Sequence, residues 1–158
     1  MTRCFIGLGS NLNDPAKQIR AALAALSAHA DIALTHSSSL YRNPAIGPGE
    51  QPDYLNAVAE VTTALKPLAL LHALQAIETH QGRIRTIHWG ARTLDLDLLL
   101  FGDETLATAE LIVPHPHMTA RNFVLYPLFE IAPELVLPDG TSLRALLDCC
   151  PDIGLQRL

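Results

Sequence analysis

Apolar and polar positions recur with two different periods along this chain, and the changes between them mark its elements. Residues 3–8 alternate as a strand, with Cys4, Ile6 and Leu8 on one face and Phe5 and Gly7 on the other. Gly9-Ser10-Asn11 predicts a turn, and Asp14-Pro15 a helix start, because aspartate caps free amides and proline lacks a donor the first turn does not use. Ile19, Leu23, Leu26 and Ala30 then recur at helical spacing. Residues 32–41 read as a second strand, 43–52 as an irregular loop rich in Pro and Gly, and 54–61 as a third strand. That strand carries Leu55, Ala57, Ala59 and Val61 on one face, and Tyr54, Asn56, Val58 and Glu60 on the other. Pro67 opens a second helix behind Lys66, a poor cap; its apolar stripe is Leu70, Leu71, Leu74 and Ile77, with Gln75 and Glu78 side by side. Residues 94–101 predict a fourth, strongly apolar strand.

The order strand, helix, strand, strand, helix, strand predicts an α+β chain with a ferredoxin-like βαββαβ core, an antiparallel sheet with helices on one face. After Gly102 the pattern turns irregular, with a short strand at 111–113 and helices near 118–129 and 143–149. This is the expectation of a single domain over 1–158 with a C-terminal elaboration. At 158 residues such a domain buries roughly 70 % of its unfolded surface.

Composition narrows the function classes. A net charge of −5 argues against a nucleic-acid partner. No apolar run reaches the roughly 20 residues of a membrane span, and a strand pattern that begins at once predicts no signal peptide. Cys4, Cys149 and Cys150 are odd in number and two are adjacent, so they predict no disulfide framework, a cytoplasmic location and simple packing roles. With no obvious apolar stripe left over, the expectation is a monomer.

Candidate chemistry centres on Asp95 and Asp97, which share a strand face, while Leu94, Leu96, Leu98 and Leu100 take the other. Two carboxylates on a largely buried strand require cationic compensation. In the plain structural reading Arg92 supplies it as an ion pair, or the strand end is exposed to water; in a functional site divalent cations carrying phosphates supply it, and oxygen-only ligands suit Mg²⁺ better than zinc. Arg83, Arg85 and Arg92 precede the strand and suit bidentate phosphate binding, against the alternative of a solvated loop. There is no P-loop motif, and Gly7-Leu8-Gly9 falls short of a dinucleotide fingerprint. His115 suits donation to a phosphate better than zinc ligation, with Arg121 near it if residues 118–123 are helical; His117 reads as a surface turn. Tyr54, Asn56, Trp89 and Phe123 suit an amide-bearing heterocycle, against plain core packing.

Several motifs together resemble the 6-hydroxymethyl-7,8-dihydropterin pyrophosphokinases of folate biosynthesis. They are Gly9-Ser10-Asn11-Leu12, Gln51-Pro52-Asp53-Tyr54-Leu55-Asn56, Gln81-Gly82-Arg83, Val113-Pro114-His115 and Phe129-Glu130-Ile131-Ala132-Pro133. The most specific is the block from His88 through Trp89-Gly90-Ala91-Arg92 to Asp95-Leu96-Asp97. The resemblance implies transfer of a diphosphate from Mg²⁺-ATP to the pterin hydroxymethyl oxygen, releasing AMP. It implies two Mg²⁺ ions on Asp95 and Asp97, charge neutralisation by Arg83 and Arg92, and an ATP side formed by Gln75, Glu78, Arg85, Trp89, His115 and Arg121. It further implies Tyr54 and Phe123 around the pterin ring, with Asn56 and the backbone near Asn43, Pro44 and Ile46 reading its edge. Loops 43–52 and 82–92 become candidate lids. The same aspartates also suit a two-metal phosphodiesterase or nucleotidyltransferase, and the fold suits a non-catalytic ligand-binding module.

Overall fold

The protein is described from a computed structural model covering residues 1–44, 52–81 and 94–158. Strand β1 (Thr2–Ser10) is longer than the alternation predicts. Gly9 and Ser10, expected in a turn, pair with Asn56 and Leu55, because the ladder offers them partners after the hydrophobic pattern has ended. Helix α1 (Pro15–Ala28) starts as expected, with the Asp14 side chain accepting from the Lys17 N–H at 3.5 Å. It buries Ile19, Ala22 and Leu26; Ala30 lies beyond its end and is exposed.

The expected single strand over 32–41 is two, β2 (Ile32–Ser37) and β3 (Tyr41–Asn43), both paired with β4 (Tyr54–Thr63). Serines cause the interruption by substituting for the ladder: Ser38 Oγ accepts the Val58 N–H at 2.9 Å, and Ser39 turns its N–H to the Glu130 carboxylate. Asn43, assigned to the following loop by composition, is the last residue of β3 and pairs with Tyr54. Helix α2 (Pro67–His80) has no side-chain cap at Lys66 and buries Leu70, Leu74, Ile77 and Glu78. Strand β5 (Asp95–Phe101) closes the core.

Among the described residues the main sheet runs β5-β1-β4-β3-β8, where β8 is Gln156–Arg157, with β2 also on β4, and every pairing is antiparallel. One face buries Cys4, Ile6, Leu8, Ala57, Ala59 and Val61 against Ile19 and Leu26 of α1 and Leu70 and Leu74 of α2. The other face is covered too, which corrects the expectation of helices on one side. Phe5, Val58, Leu99 and Leu100 pack there with Val124, Leu125 and Leu128 of α3 (Asn122–Ile131) and Leu143 of α4 (Leu143–Asp148). Strands apolar on both faces need cover on both, each buried Leu or Phe contributing about 1.5–3 kcal/mol. A bulge permits this in β5: Phe5 pairs with Leu100 and Ile6 with Leu98, so Leu99 is extra. Leu100 is thereby moved to the second face, away from Leu94, Leu96 and Leu98, with which strict alternation grouped it.

Beyond β5, β6 (Leu106–Ala107) pairs with β7 (Ile112–Val113). The helix expected near 118–129 is a 3₁₀ turn, Met118–Ala120, followed by α3, with Arg121 extended between them at φ −109°. A polar two-residue strand, β8 (Gln156–Arg157), adds to β3; it is too short to show any alternation in the sequence.

Candidate functional site

The second sheet face changes character toward the end of β1. Phe5, Gly7 and Gly9 point the same way, and the two glycines leave the centre of the sheet without side chains. Gly7 lies between Asp97 and Val58, and Gly9 between Asp95 and Asn56. The result is a trough, with both carboxylates on one bank and Asn56 on the other. It is tight at Gly9, where an added Cβ would sit 3.0 Å from Asn56 Oδ1. A cleft of about 50 Å³ lies here, lined by Gly7, Gly9, Asn56, Asp95, Asp97, Arg121 and Phe123 among others. Both glycines line the cleft, although as a sequence motif they fall short of a dinucleotide fingerprint. Two successive glycines on one strand face were the signal that could have found them.

The aspartates are less buried than their strand. Asp95 is half-buried and Asp97 exposed, while Leu94, Leu96 and Leu98 beneath them are buried. The desolvation argued for from the apolar sequence is therefore overestimated: the leucines are buried against α2 and the opposite bank opens to the cleft.

A larger cavity of about 660 Å³ adjoins the trough through the shared residues Asn56, Arg121 and Phe123. Asn43, Pro44 and Tyr54 line it as well. β3 and β4 bring Asn43 and Asn56 together, both buried, with Asn56 Nδ2 donating to Asn43 Oδ1. Phe123, in the first turn of α3, stands opposite them, and the Arg121 guanidinium lies 5.6 Å from its ring centroid. The chain thus gathers Asn43, Pro44, Tyr54, Asn56, Asp95, Asp97, Arg121 and Phe123 around connected cavities. Ile46, Arg83, Arg85, Trp89 and Arg92 lie outside the described residues, as does most of both candidate lids.

Gln75 and Glu78 line neither cavity. Gln75 is exposed on α2, whereas Glu78 is buried and its carboxylate accepts the Leu96 N–H at 2.7 Å. His115 is tied to β5 by its own N–H donating to the Leu99 carbonyl at 2.9 Å. Burial, then the charges of Arg121 and His117, push its pKa down to about 4. The ring is neutral at pH 7. Because its Nδ1 accepts the His117 N–H at 3.2 Å, its proton is on Nε2, a fixed neutral donor.

The Phe129-Glu130 motif serves the scaffold. Glu130 accepts from Ser39 N and Oγ and from Tyr41 Oη at 2.7–3.1 Å, anchoring β3 to α3. Burial alone would raise the Glu130 pKa, but the bonds from Tyr41 and Ser39 with the charge of Arg157 hold it below the usual value. Burial, helped by this carboxylate, pushes the Tyr41 phenol up to about 12. The packing role expected of the cysteines holds for Cys4, buried with its thiol raised to about 12, chiefly by burial. It fails for Cys149, which is exposed; Cys150 is half-buried, packs against the second core and also lines the large cavity.

An apolar slot with a planar amide pair, opening onto two carboxylates, suits a flat heterocycle carrying a group that reacts with a phosphate chain. Residues 5–133 match the family 7,8-dihydro-6-hydroxymethylpterin-pyrophosphokinase. The chain is 53 % identical over 156 residues to a 2-amino-4-hydroxy-6-hydroxymethyldihydropteridine pyrophosphokinase of Pseudomonas aeruginosa, covering 99 % of this chain and 96 % of that one. It is 50 % identical over 158 residues to the Haemophilus influenzae protein of the same name, covering 100 % and 99 %. Among solved structures, an HPPK-DHPS in complex with substrates superposes with a TM-score of 0.79 at 13 % identity, covering 99 % of this chain. Wild-type Plasmodium falciparum HPPK-DHPS with SDX-DHP gives 0.72 at 15 % identity and the same coverage. This chain spans 46 % and 47 % of those two, so the likeness concerns the fold of about half of each.

Proposed function

The chain belongs to the 7,8-dihydro-6-hydroxymethylpterin-pyrophosphokinase family, and from that premise we propose that the large cavity holds the pterin while the Asp95–Asp97 trough faces the ATP phosphates. The enzyme is an ATP-dependent diphosphotransferase of folate biosynthesis. The hydroxymethyl oxygen of 6-hydroxymethyl-7,8-dihydropterin attacks the β-phosphorus of ATP, the bond to the α-phosphate oxygen breaks, and AMP leaves. One observation carries the placement: the slot between Tyr54, Asn56 and Phe123 opens directly onto the two carboxylates across Gly9.

Each residue then has a task. Tyr54 and Phe123 hold the faces of the ring. The Asn56 amide, oriented by Asn43, reads its edge, with the backbone at Asn43, Pro44 and Ile46 alongside. Arg121 spans both cavities and neutralises phosphate charge, and His115 donates from Nε2 on the ATP side. Gln75 and Glu78 line neither cavity, and their assignment to the ATP side rests on the resemblance alone. From the resemblance alone, Arg83 and Arg92 neutralise the transferring groups and Arg85 and Trp89 flank ATP. Such a reaction asks mainly for positioning and charge stabilisation.

The donor set fits Mg²⁺, and the resemblance implies two such ions. Among the described residues there is no cluster of three or more His, Cys, Asp and Glu that would form an all-protein cage. Mg²⁺ is instead bound through one or two carboxylates, with waters and substrate phosphates completing the shell. Asp95 and Asp97 offer this beside open space. When bound there, the metal would screen phosphate charge and lower the pKa of the attacking hydroxyl.

The strand order supports a ferredoxin-like core from β1 to β5, with the later residues an elaboration that closes the second face within one domain over 1–158. We place the enzyme in the cytoplasm as a monomer acting on ATP and the pterin, with neither nucleic acid nor membrane as partner. Three free cysteines and the acidic charge support this reading, and no helix among the described residues is long and apolar enough to cross a membrane.

The test is nucleotide analysis of Mg²⁺-ATP with and without the pterin. AMP appearing one-for-one with a pterin diphosphate is expected. ADP would mean a monophosphoryl kinase, free diphosphate a nucleotidyltransferase, and no pterin-dependent turnover a binding module.

A further inference from the structure

One wall of the large cavity, not shared with the trough, comes from a segment to which no motif points. Cys150, Pro151 and Ile153 line it, and Ile153 is 82 % exposed, an apolar side chain held at the mouth in contact with solvent. The Asn122 side chain holds this segment in place. Its Nδ2 donates to the carbonyls of Pro151 and Ile153, each at 3.1 Å. Two carbonyl acceptors require the amide nitrogen, so the orientation of that amide is settled by its partners. Tyr126 Oη donates to the Cys150 carbonyl at 2.8 Å, fixing the start of the segment to α3.

From there the segment crosses to the opposite side of the cavity. A Cβ built on Gly154, whose φ is +77°, would be 3.4 Å from Pro44 Cδ, so the backbone passes close over that proline. β8 then pairs with Tyr41 and Arg42, the Leu158 N–H donates to the Leu40 carbonyl at 2.9 Å, and Arg157 lies 3.4 Å from Glu130. Residues 150–158 therefore join α3, which carries Phe123, to β3 and Pro44 on the far side of the slot.

We propose that residues 150–158 form a wall of the pterin slot and that Asn122, by its two bonds to this segment, is the positioning residue that sets the wall against Phe123 and Pro44. The inference rests on the large cavity being the pterin site. Asn122 lines the large cavity and not the trough beside the aspartates, so its loss acts on pterin affinity and leaves ATP affinity alone.

The variants are Asn122→Asp, Asn122→Ala and Ile153→Ser, with Asn56→Ala as reference, each assayed for AMP release with either substrate varied. Asparagine-to-aspartate is the decisive exchange. It keeps size and shape, and a carboxylate at the first residue of a helix is electrostatically favourable. As a helix-start residue, therefore, aspartate would be harmless. As a donor to two carbonyls it is the worst choice, because an ionised carboxylate only accepts. We expect Asn122→Asp to raise the pterin KM at least as much as Asn122→Ala, by roughly three- to tenfold, the size of losing one or two ordinary hydrogen bonds. The ATP KM and the kcat at saturating pterin stay within about twofold, and Ile153→Ser, at an exposed position, raises the pterin KM with no change in Tm. An unchanged pterin KM in Asn122→Asp and Ile153→Ser overturns the inference, as does an equal rise in both KM values. If Asn56→Ala also leaves the pterin KM unchanged, the assignment of the cavity fails as well; if it raises the pterin KM while the others do not, the wall alone is wrong.

Discussion

The carboxylate of Glu78 accepts the main-chain N–H of Leu96 at 2.7 Å, and Leu96 is the residue between Asp95 and Asp97. A buried acid on α2 thus holds the strand segment that presents both aspartates to the cleft. Removing it as Glu78→Ala leaves a buried amide without this acceptor, at a cost of about 1–3 kcal/mol. Glu78→Gln keeps a carbonyl acceptor and should recover most of that loss. Urea unfolding checks the stability order wild type, Gln, Ala, and AMP release should follow the same order. Equal stability of all three would show that the bond does not hold β5.

Gly9 is the pivot of the trough. An alanine there would bring its Cβ to 3.0 Å from Asn56 Oδ1, closer than most real contacts, and Asn56 must give way. Asn43 orients that amide, and in the proposed site the amide reads the pterin edge, so its displacement would weaken pterin binding. Gly9→Ala should raise the pterin KM by about tenfold or more, the loss of one well-placed hydrogen bond, with a smaller change in the ATP KM. Steady-state kinetics with each substrate varied decides between this and a neutral substitution.

Asp97 is exposed, so replacing it perturbs the fold little. Asp97→Ala should keep the wild-type Tm and lose turnover by at least about a thousandfold, a metal-dependent loss of charge stabilisation of several kcal/mol. Mg²⁺ titration of AMP release measures it. Retained activity at millimolar Mg²⁺ would remove the metal role.

His115 has its pKa lowered from 6.5 to about 4, by burial first and then by the charges of Arg121 and His117. As pH falls below 6.5, the unfolded chain takes up a proton that the folded ring refuses, so the unfolded state binds more protons. Stability is then lost between about pH 6.5 and 4, and this contribution is constant above that window. In ligand-free protein the His115 ring signals should titrate well below pH 6 by NMR. His115→Gln, which has no titrating ring, should flatten this part of the pH–stability curve. A midpoint near 6.5 would show that the ring is solvated.

How much was legible in the sequence depended on the range over which each signal acts. The helices at 15–28 and 67–80 follow from local causes: Asp14 and the prolines mark their starts, and Ile19, Leu26, Leu70 and Leu74 their inner faces. The carboxylate pair, the strand carrying it and the family motif were equally plain, since two residues apart on any strand means one face. The place of Gly7 and Gly9 is not legible in the sequence, because a missing side chain matters only in relation to what stands on either side. Local alternation also failed at Leu100, where a bulge moves one residue to the other face, and at residues 32–41, where Ser38 and Ser39 replace ladder bonds with side-chain bonds.

The sequence alone determined the family and the donors, acceptors and charges the chain carries, among them Asp95, Asp97, Arg121 and His115, because residue types and short spacings specify these. Only the tertiary structure decided which of those groups stand together. The second helical layer packs on the sheet face opposite α1 and α2, placing Phe123 across from Tyr54 and Asn56, and Asn122 against residues 150–158. Those contacts join positions far apart along the chain. Their strength comes from burial and register, and neither exists until the strands have paired.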